Sequence, residues 1–322
     1  MKTILVLALD GVMDSSIAIT VDTIRAARFL MGKGKAPGLR LLTAGQRKTI
    51  KTGAGMRLDV DMSFAEFARG GCKPDWIIVP GLGLATDQAI GGRLADADMQ
   101  AAARLLRQAA PATRIGASCS GVFLLARTGL LDGRHATMTW WLAHLFRARH
   151  PEVKLDESRM LVRDGKFLTA GSAFAQLDLM LAVIGDTVGN DAADLCSRYL
   201  LIDARPSQAR YMALSHVQHV DATVLAAERW IDAHLAEPMS VVRLAEALAL
   251  SPKTLARRME AAMQLSPLKF VQRRRLMRAA HLIETTALSI EAVAEQIGYQ
   301  DGTALRKLIK REFGVTPGAM RG

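Results

Sequence analysis

Four short apolar runs, TILVLAL (3–9), LRLLT (39–43), DWIIV (75–79) and TRIGA (113–117), alternate with helix-length stretches such as Ser16–Met31 and Ala95–Ala109. That alternation predicts a parallel α/β sheet with helices covering it. The sheet patterning ends within IDARPSQARYMALSHVQHVD (202–221), where Arg205-Pro206 marks a turn, and helical patterning resumes over Ala222–Leu235. The expected organisation is an α/β domain over 1–203, a linker over 204–222 and an all-α domain over 223–322. Leu177, Met180, Leu181 and Ile184 share a helix face that suits either a core or a dimer contact.

The all-α part contains a repeat. Leu244-Ala245-Glu246 matches Val293-Ala294-Glu295 at an offset of 49, and Leu255, Met259, Ser266 and Pro267 match Leu305, Ile309, Thr316 and Pro317 at an offset of 50. One residue is inserted in the turn of the second copy. Each copy reads as a short amphipathic helix, a turn and a second helix: Ser251-Pro252 supplies an N-cap and a first-turn proline, and Gly298 a helix stop. This is the grammar of a helix-turn-helix. Between the copies, Leu268–Thr286 predicts a connecting helix of about 19 residues, roughly 28 Å long. Successive major grooves on one side of B-DNA lie about 34 Å apart, so two helices so linked can enter neighbouring grooves. The second helices offer Lys253, Thr254, Arg257 and Arg258 in copy one, and Thr303, Arg306, Lys307 and Lys310 in copy two, for bases or phosphates.

Composition narrows the classes. A chain of 322 residues suits two domains, and half its residues are hydrophobic with no low-complexity tract, which excludes a disordered scaffold. No stretch approaches the roughly 20 apolar residues of a membrane span, and the first apolar run, broken by Asp10, is too short for a signal-peptide core. A cytoplasmic protein without membrane contact is expected. Cys72, Cys119 and Cys196 are scattered, fitting neither a disulfide framework nor a zinc site; no metal and no cofactor are expected. The net charge of +11 suggests a polyanionic partner, and much of it falls in 252–278, with eight basic residues against the single acid Glu260.

On the strength of the repeat and of LSIEAVAEQIGYQDGTALRKLIKREFGVTPGAMR, with its Gly298-Tyr299 pair, Phe313-Gly314 stop and Thr316-Pro317 end, residues 223–322 resemble the AraC/XylS family DNA-binding domain. Copy one departs by carrying Gln264 where that family often has glycine. The resemblance implies a seven-helix domain with two helix-turn-helix motifs that binds promoter double-stranded DNA, contacts RNA polymerase, usually to activate, and belongs to a homodimer.

Three turns follow predicted strands, where ligands sit in α/β folds: Asp10-Gly11, Pro80-Gly81-Leu82-Gly83 and Ser118-Cys119-Ser120-Gly121. The glycines of 81–83 serve a tight turn or, with the Ser120 amide, an anion nest. The order of these turns, and IGASCSGVFLLARTGLLDGRHATMTWW (115–141) above all, resembles the PfpI-like members of the class I glutamine amidotransferase-like superfamily, whose nucleophile elbow carries a cysteine. A PfpI-like domain followed by an AraC-type one is the order of the GlxA/FtrA-like regulators. The family's histidine partner falls where this chain has Thr139, and the acidic partner of some enzymatic relatives falls at Ser16, with Asp14 nearby. Threonine is no base, and His135 and His144 flank the position. Cys119 is therefore read as a degenerate elbow rather than a catalytic group. The resemblance implies a sensor pocket of Asp14, Ser16, Gly81, Leu82, Cys119, Ser120, Thr139 and Trp140 for a small-molecule effector, with nitrogen compounds as the signal class. The alternative is an amidase, peptidase or glyoxalase-like hydrolase working through Cys119.

Overall fold

The computed structural model describes residues 1–32, 38–203, 205, 207–212, 221–263 and 265–321. The chain divides into two compact units, Met1–Arg205 and Pro206–Gly322. Much of the stretch expected as a linker, and Gln264, lie outside the described residues.

The first unit opens with β1 (Lys2–Leu7), α1 (Asp14–Met31), β2 (Leu39–Gly45), β3 (Thr49–Lys51), β4 (Arg57–Asp59), β5 (Met62–Ser63), α2 (Phe64–Arg69) and β6 (Trp76–Val79). It continues through α3 (Asp87–Ala95), α4 (Ala97–Arg107), β7 (Arg114–Ser118), α5 (Gly121–Arg127), β8 (His135–Ala136), α6 (Ala143–Arg149) and β9 (Lys154–Leu155). It closes with β10 (Leu161–Asp164), β11 (Phe167–Ala170), α7 (Gln176–Val188) and α8 (Asn190–Tyr199). Seven strands form one sheet in the order β10-β11-β7-β6-β1-β2-β5, parallel throughout except for β10 against β11. All four expected apolar runs are strands of this sheet.

Covering both faces explains why those runs do not alternate. Ile4 and Val6 of β1, with Trp76 and Ile78 of β6, pack in one core with Ile24 of α1, Leu179 and Ile184 of α7 and Cys196 of α8. Leu5, Leu7, Ile77, Val79 and Ile115 point the other way, against Met99, Ala102 and Leu106 of α4, Phe123 of α5 and Phe146 of α6. Successive strand side chains thus serve opposite cores. Met180 and Ile184 are buried in the core shared with α1 and Leu181 packs beside them, while Leu177 is half-buried.

The helix expected over 95–109 is α4, two residues shorter at each end, and α3 precedes it. Asp96 is extended (φ −66°, ψ 152°), ending α3 and opening α4, and its carboxylate accepts a 3.0 Å bond from Arg93.

The second unit holds, among its described residues, seven α-helices: α9 (Ala222–Ala233), α10 (Val241–Ala247), α11 (Pro252–Met263), α12 (Pro267–Thr285), α13 (Ile290–Gln296), α14 (Gly302–Phe313) and α15 (Pro317–Met320). Helices α10–α11 and α13–α14 are the two repeat copies, and α12, 19 residues long, joins them. Side-chain caps open most of these helices: Asp221, Ser240, Ser266, Ser289, Asp301 and Thr316 each accept a backbone N–H of the first turn. Leu255, Met259 and Met263 of α11, and Leu305, Ile309 and Phe313 of α14, recur every four residues and are buried, leaving the opposite faces to solvent.

Candidate functional site

Strand β7 delivers the elbow. Ser118 at its end donates a 2.5 Å bond to Gln176 Oε1; Gln176 Nε2 donates to Thr20 Oγ1 at 2.7 Å, and Thr20 Oγ1 donates to the Ser16 carbonyl at 2.7 Å. This buried chain ties β7, α7 and α1 together behind the turn. Cys119 then takes φ +52°, a left-handed conformation rare for a residue with a Cβ, while its N–H reaches the Gly171 carbonyl at 2.8 Å. Gly121 is required next: a Cβ there would lie 2.4 Å from the Pro80 carbonyl oxygen, because α5 starts hard against the end of β6.

The elbow is closed. Cys119 is 3% exposed, and Gly81, Leu82, Ser120, Thr139 and Ser16 are buried around it. A Cβ on Gly81 would meet Cys119 Cβ at 3.1 Å, Ser16 Oγ at 3.3 Å and Met13 Sδ at 3.4 Å, so these residues converge on one point. Met13 was not singled out from the sequence, where nothing marks it. Burial pushes the Cys119 thiol up from its ordinary pKa, and bonds to Ser120 and Thr139 offset this only in part. Neither His135 nor His144 is among the groups acting on the thiol; the His135 side of β8 is exposed. Ser16 Oγ and Thr139 Oγ1 are buried without a nitrogen or oxygen partner among the described residues.

One expectation about this site is corrected. Asp14 does not face the thiol: its carboxylate accepts the Thr52 hydroxyl and, at 2.9 Å, the Ala54 N–H, and these bonds hold its pKa below the ordinary value. Of the two readings of the 81–83 turn, the geometry favours the tight turn over an open anion nest. The Leu82 N–H donates to Ser120 Oγ at 3.0 Å, and the Gly81 carbonyl accepts the Met13 N–H at 2.8 Å. Trp140, half-buried, starts the short 3-10 turn after Thr139 and packs edge-on against Trp141.

In the second unit, Lys253 and Arg257 of α11 and Thr303, Lys307 and Lys310 of α14 are exposed. The other three expected readers are engaged. Arg258 donates to Thr223 Oγ1 of α9 at 2.8 Å, Thr254 belongs to the Ser251 cap, and Arg306 pairs with Glu291 of α13 at 2.8 Å. Glu291 also borders Gly302, whose Cβ would stand 2.7 Å from that carboxylate. The basic window over 252–278 is partly structural. Arg274 bridges Glu228 (2.6 Å) and Asp232 (2.5 Å), Arg275 caps the carbonyls of Gly298 and Glu237, and Arg273 is buried. Among the described residues no helix is long and apolar enough to cross a membrane, and no group of three or more His, Cys, Asp or Glu could hold a metal ion.

A parallel α/β unit with a buried cysteine elbow, followed in the chain by a double helix-turn-helix, is the class this architecture defines. The profile of the DJ-1/PfpI family matches residues 2–186, and one described as a helix-turn-helix domain matches residues 244–322. The chain belongs to the DJ-1/PfpI family and carries an AraC-type helix-turn-helix domain. It is 27% identical over 316 residues to the HTH-type transcriptional regulator GlxA of Rhizobium meliloti, covering 95% of this chain and 91% of that one. It is 27% identical over 216 residues to the HTH-type transcriptional regulator GbdR of Pseudomonas aeruginosa, covering 66% of this chain; the match spans only 59% of GbdR. Two solved structures share the fold of the first unit at 19% identity and a TM-score of 0.51. They are Drosophila melanogaster DJ-1beta, covering 63% of this chain and 99% of that one, and an AraC family transcriptional regulator from Pseudomonas putida, covering 62% and 100%.

Proposed function

We propose that the chain is a sequence-specific transcription regulator that binds promoter double-stranded DNA in the cytoplasm through α11 and α14. The observation that carries this reading is the pair of helix-turn-helix copies, each with a basic, solvent-facing second helix, held on the single 19-residue helix α12. Such a spacer matches the reach between neighbouring major grooves. Activation through RNA polymerase and action as a homodimer complete the proposal. The similarity to named HTH-type regulators supports it.

The first unit is then the sensor. Ser16 Oγ, buried without a partner beside Cys119, supports a small nitrogen-bearing effector that donates to it beside Gly81, Leu82, Ser120, Thr139 and Trp140. By binding one conformational state better than another, it would shift the population competent for DNA. The raised thiol pKa and the hydroxyls at the positions of an acid and a base speak against a cysteine hydrolase.

The test is mapping of binding sites on fragmented genomic DNA at physiological salt. Enrichment of sites with two half-elements about one helical turn apart is expected. Arg257→Ala with Arg306→Ala should weaken specific binding by roughly 10- to 100-fold. Unchanged binding in that variant would remove α11 and α14 as readers.

A further inference from the structure

The first unit contains a cavity remote from the elbow. It lies between α2, the 70–75 segment and α4, with a volume of about 500 Å³. That is within the range of small-molecule sites. Thr113 lines it just ahead of β7, whereas Cys119 follows the other end of that strand, about 20 Å away at six residue steps. The two places are therefore separate.

Its wall is apolar and its charge has one sign. Phe64, Phe67, Ile77 and Leu105 form the wall, and Thr113 fixes the floor by donating to the Pro74 carbonyl at 2.8 Å. Lys73 and Arg104 stand at the rim, both exposed, and no lining residue is acidic. Neither cation has an ion pair or side-chain hydrogen bond among the described residues. Other cations of this unit are neutralised: Arg93 by Asp98, Arg147 by Glu157, Arg149 by Asp87 and Arg134 by Asp164. An apolar hollow with two unpaired cations at its mouth is complementary to an anion with an apolar body.

We propose that this cavity binds a carboxylate carrying a hydrophobic chain or ring, its carboxyl group between Lys73 and Arg104 and its apolar part against Phe64, Phe67, Ile77 and Leu105. This goes beyond the regulatory reading above, and its test involves no DNA, so the two stand or fall apart.

The cavity supplies its own reporter. Cys72 lines it and is partly exposed, whereas Cys119 and Cys196 are buried. The full chain is titrated by calorimetry with octanoate, phenylacetate, octylamine and inorganic phosphate, and maleimide labelling of Cys72 is timed with and without octanoate. Saturable binding of one octanoate or phenylacetate per chain is expected, with neither octylamine nor phosphate binding at the same site. Lys73→Met and Arg104→Met should each weaken octanoate about tenfold while keeping the aliphatic stems. Bound octanoate should slow Cys72 labelling several-fold. Ala101→Phe, which fills the hollow from α4, should abolish binding; if that variant misfolds, the two methionine variants and the labelling decide alone. Octylamine binding as well as octanoate, octanoate binding indifferent to both methionine variants, or Cys72 labelling unaffected by saturating octanoate would each overturn the assignment.

Discussion

A methyl group at position 298 would stand 2.7 Å from the Leu235 carbonyl oxygen and 2.8 Å from the Arg275 guanidinium, on a backbone with φ +75°. Both the left-handed conformation and the crowding oppose a side chain, so Gly298→Ala should destabilise the second unit by about 2–4 kcal/mol in urea unfolding. Position 298 was legible as a helix stop because C-terminal glycine is a local signal. Gly121 was legible only as part of a small-residue turn, since its neighbour, the Pro80 carbonyl, comes from another strand. Cys119 divides the same way. The elbow was readable, but its protonation depends on burial, which no local pattern reports. Because the thiol is raised above its ordinary pKa, its thiolate fraction between pH 7 and 9 stays low. Iodoacetamide should therefore modify Cys72 well ahead of Cys119 across that range; fast, pH-dependent labelling of Cys119 would restore the hydrolase.

Short elements were harder to read than long ones. The four apolar runs and the repeat copies were visible because burial imposes a period on them, whereas β5, at two residues, and the β3–β4 pair are too short to carry one. Helix α2 is held by a capping box: Glu66 N–H donates to Ser63 Oγ at 3.2 Å, and the Ser63 N–H donates to the Glu66 carboxylate at 2.6 Å. Ser63→Ala should cost about 1 kcal/mol of stability. Bonds from Lys48 and Ser63 hold the Glu66 carboxyl at about 2, below its ordinary value near 4.5. In the unfolded chain Glu66 takes its proton first as pH falls, so its contribution is complete above about 4.5 and is lost on the way to pH 2. Melting temperature should fall less steeply over that window in Glu66→Ala than in the parent protein; parallel slopes would discount the box.

Across the whole molecule, a net charge of +11 overstates the surface offered to a polyanion. Arg274 is inside the second unit, with Glu228 and Asp232 as its partners. Its replacement by alanine would remove the Arg274 ion pair from the buried Glu228 carboxylate, lowering stability by about 1–3 kcal/mol, and should leave the salt dependence of DNA binding unchanged. Arg257→Ala should do the reverse, reducing the slope of log affinity against log salt by about one with little effect on unfolding. Equal slopes in the two variants would mean that the exposed face of α11 is not where phosphates are met.

The sequence by itself determined the parallel sheet, the repeated helix pairs and the residues of the elbow, because each rests on local periodicity, on turn chemistry or on a motif contiguous in the chain. Only the tertiary structure decided what those residues are free to do. It turned Asp14 toward Thr52 and Ala54, spent the Leu82 amide on Ser120, sealed the Cys119 thiol, and engaged Arg258, Arg274 and Arg306 with partners between 15 and 46 residues away in the chain. A hydrogen bond or an ion pair needs only proximity in space, and the chain's own order does not record which distant donor arrives first.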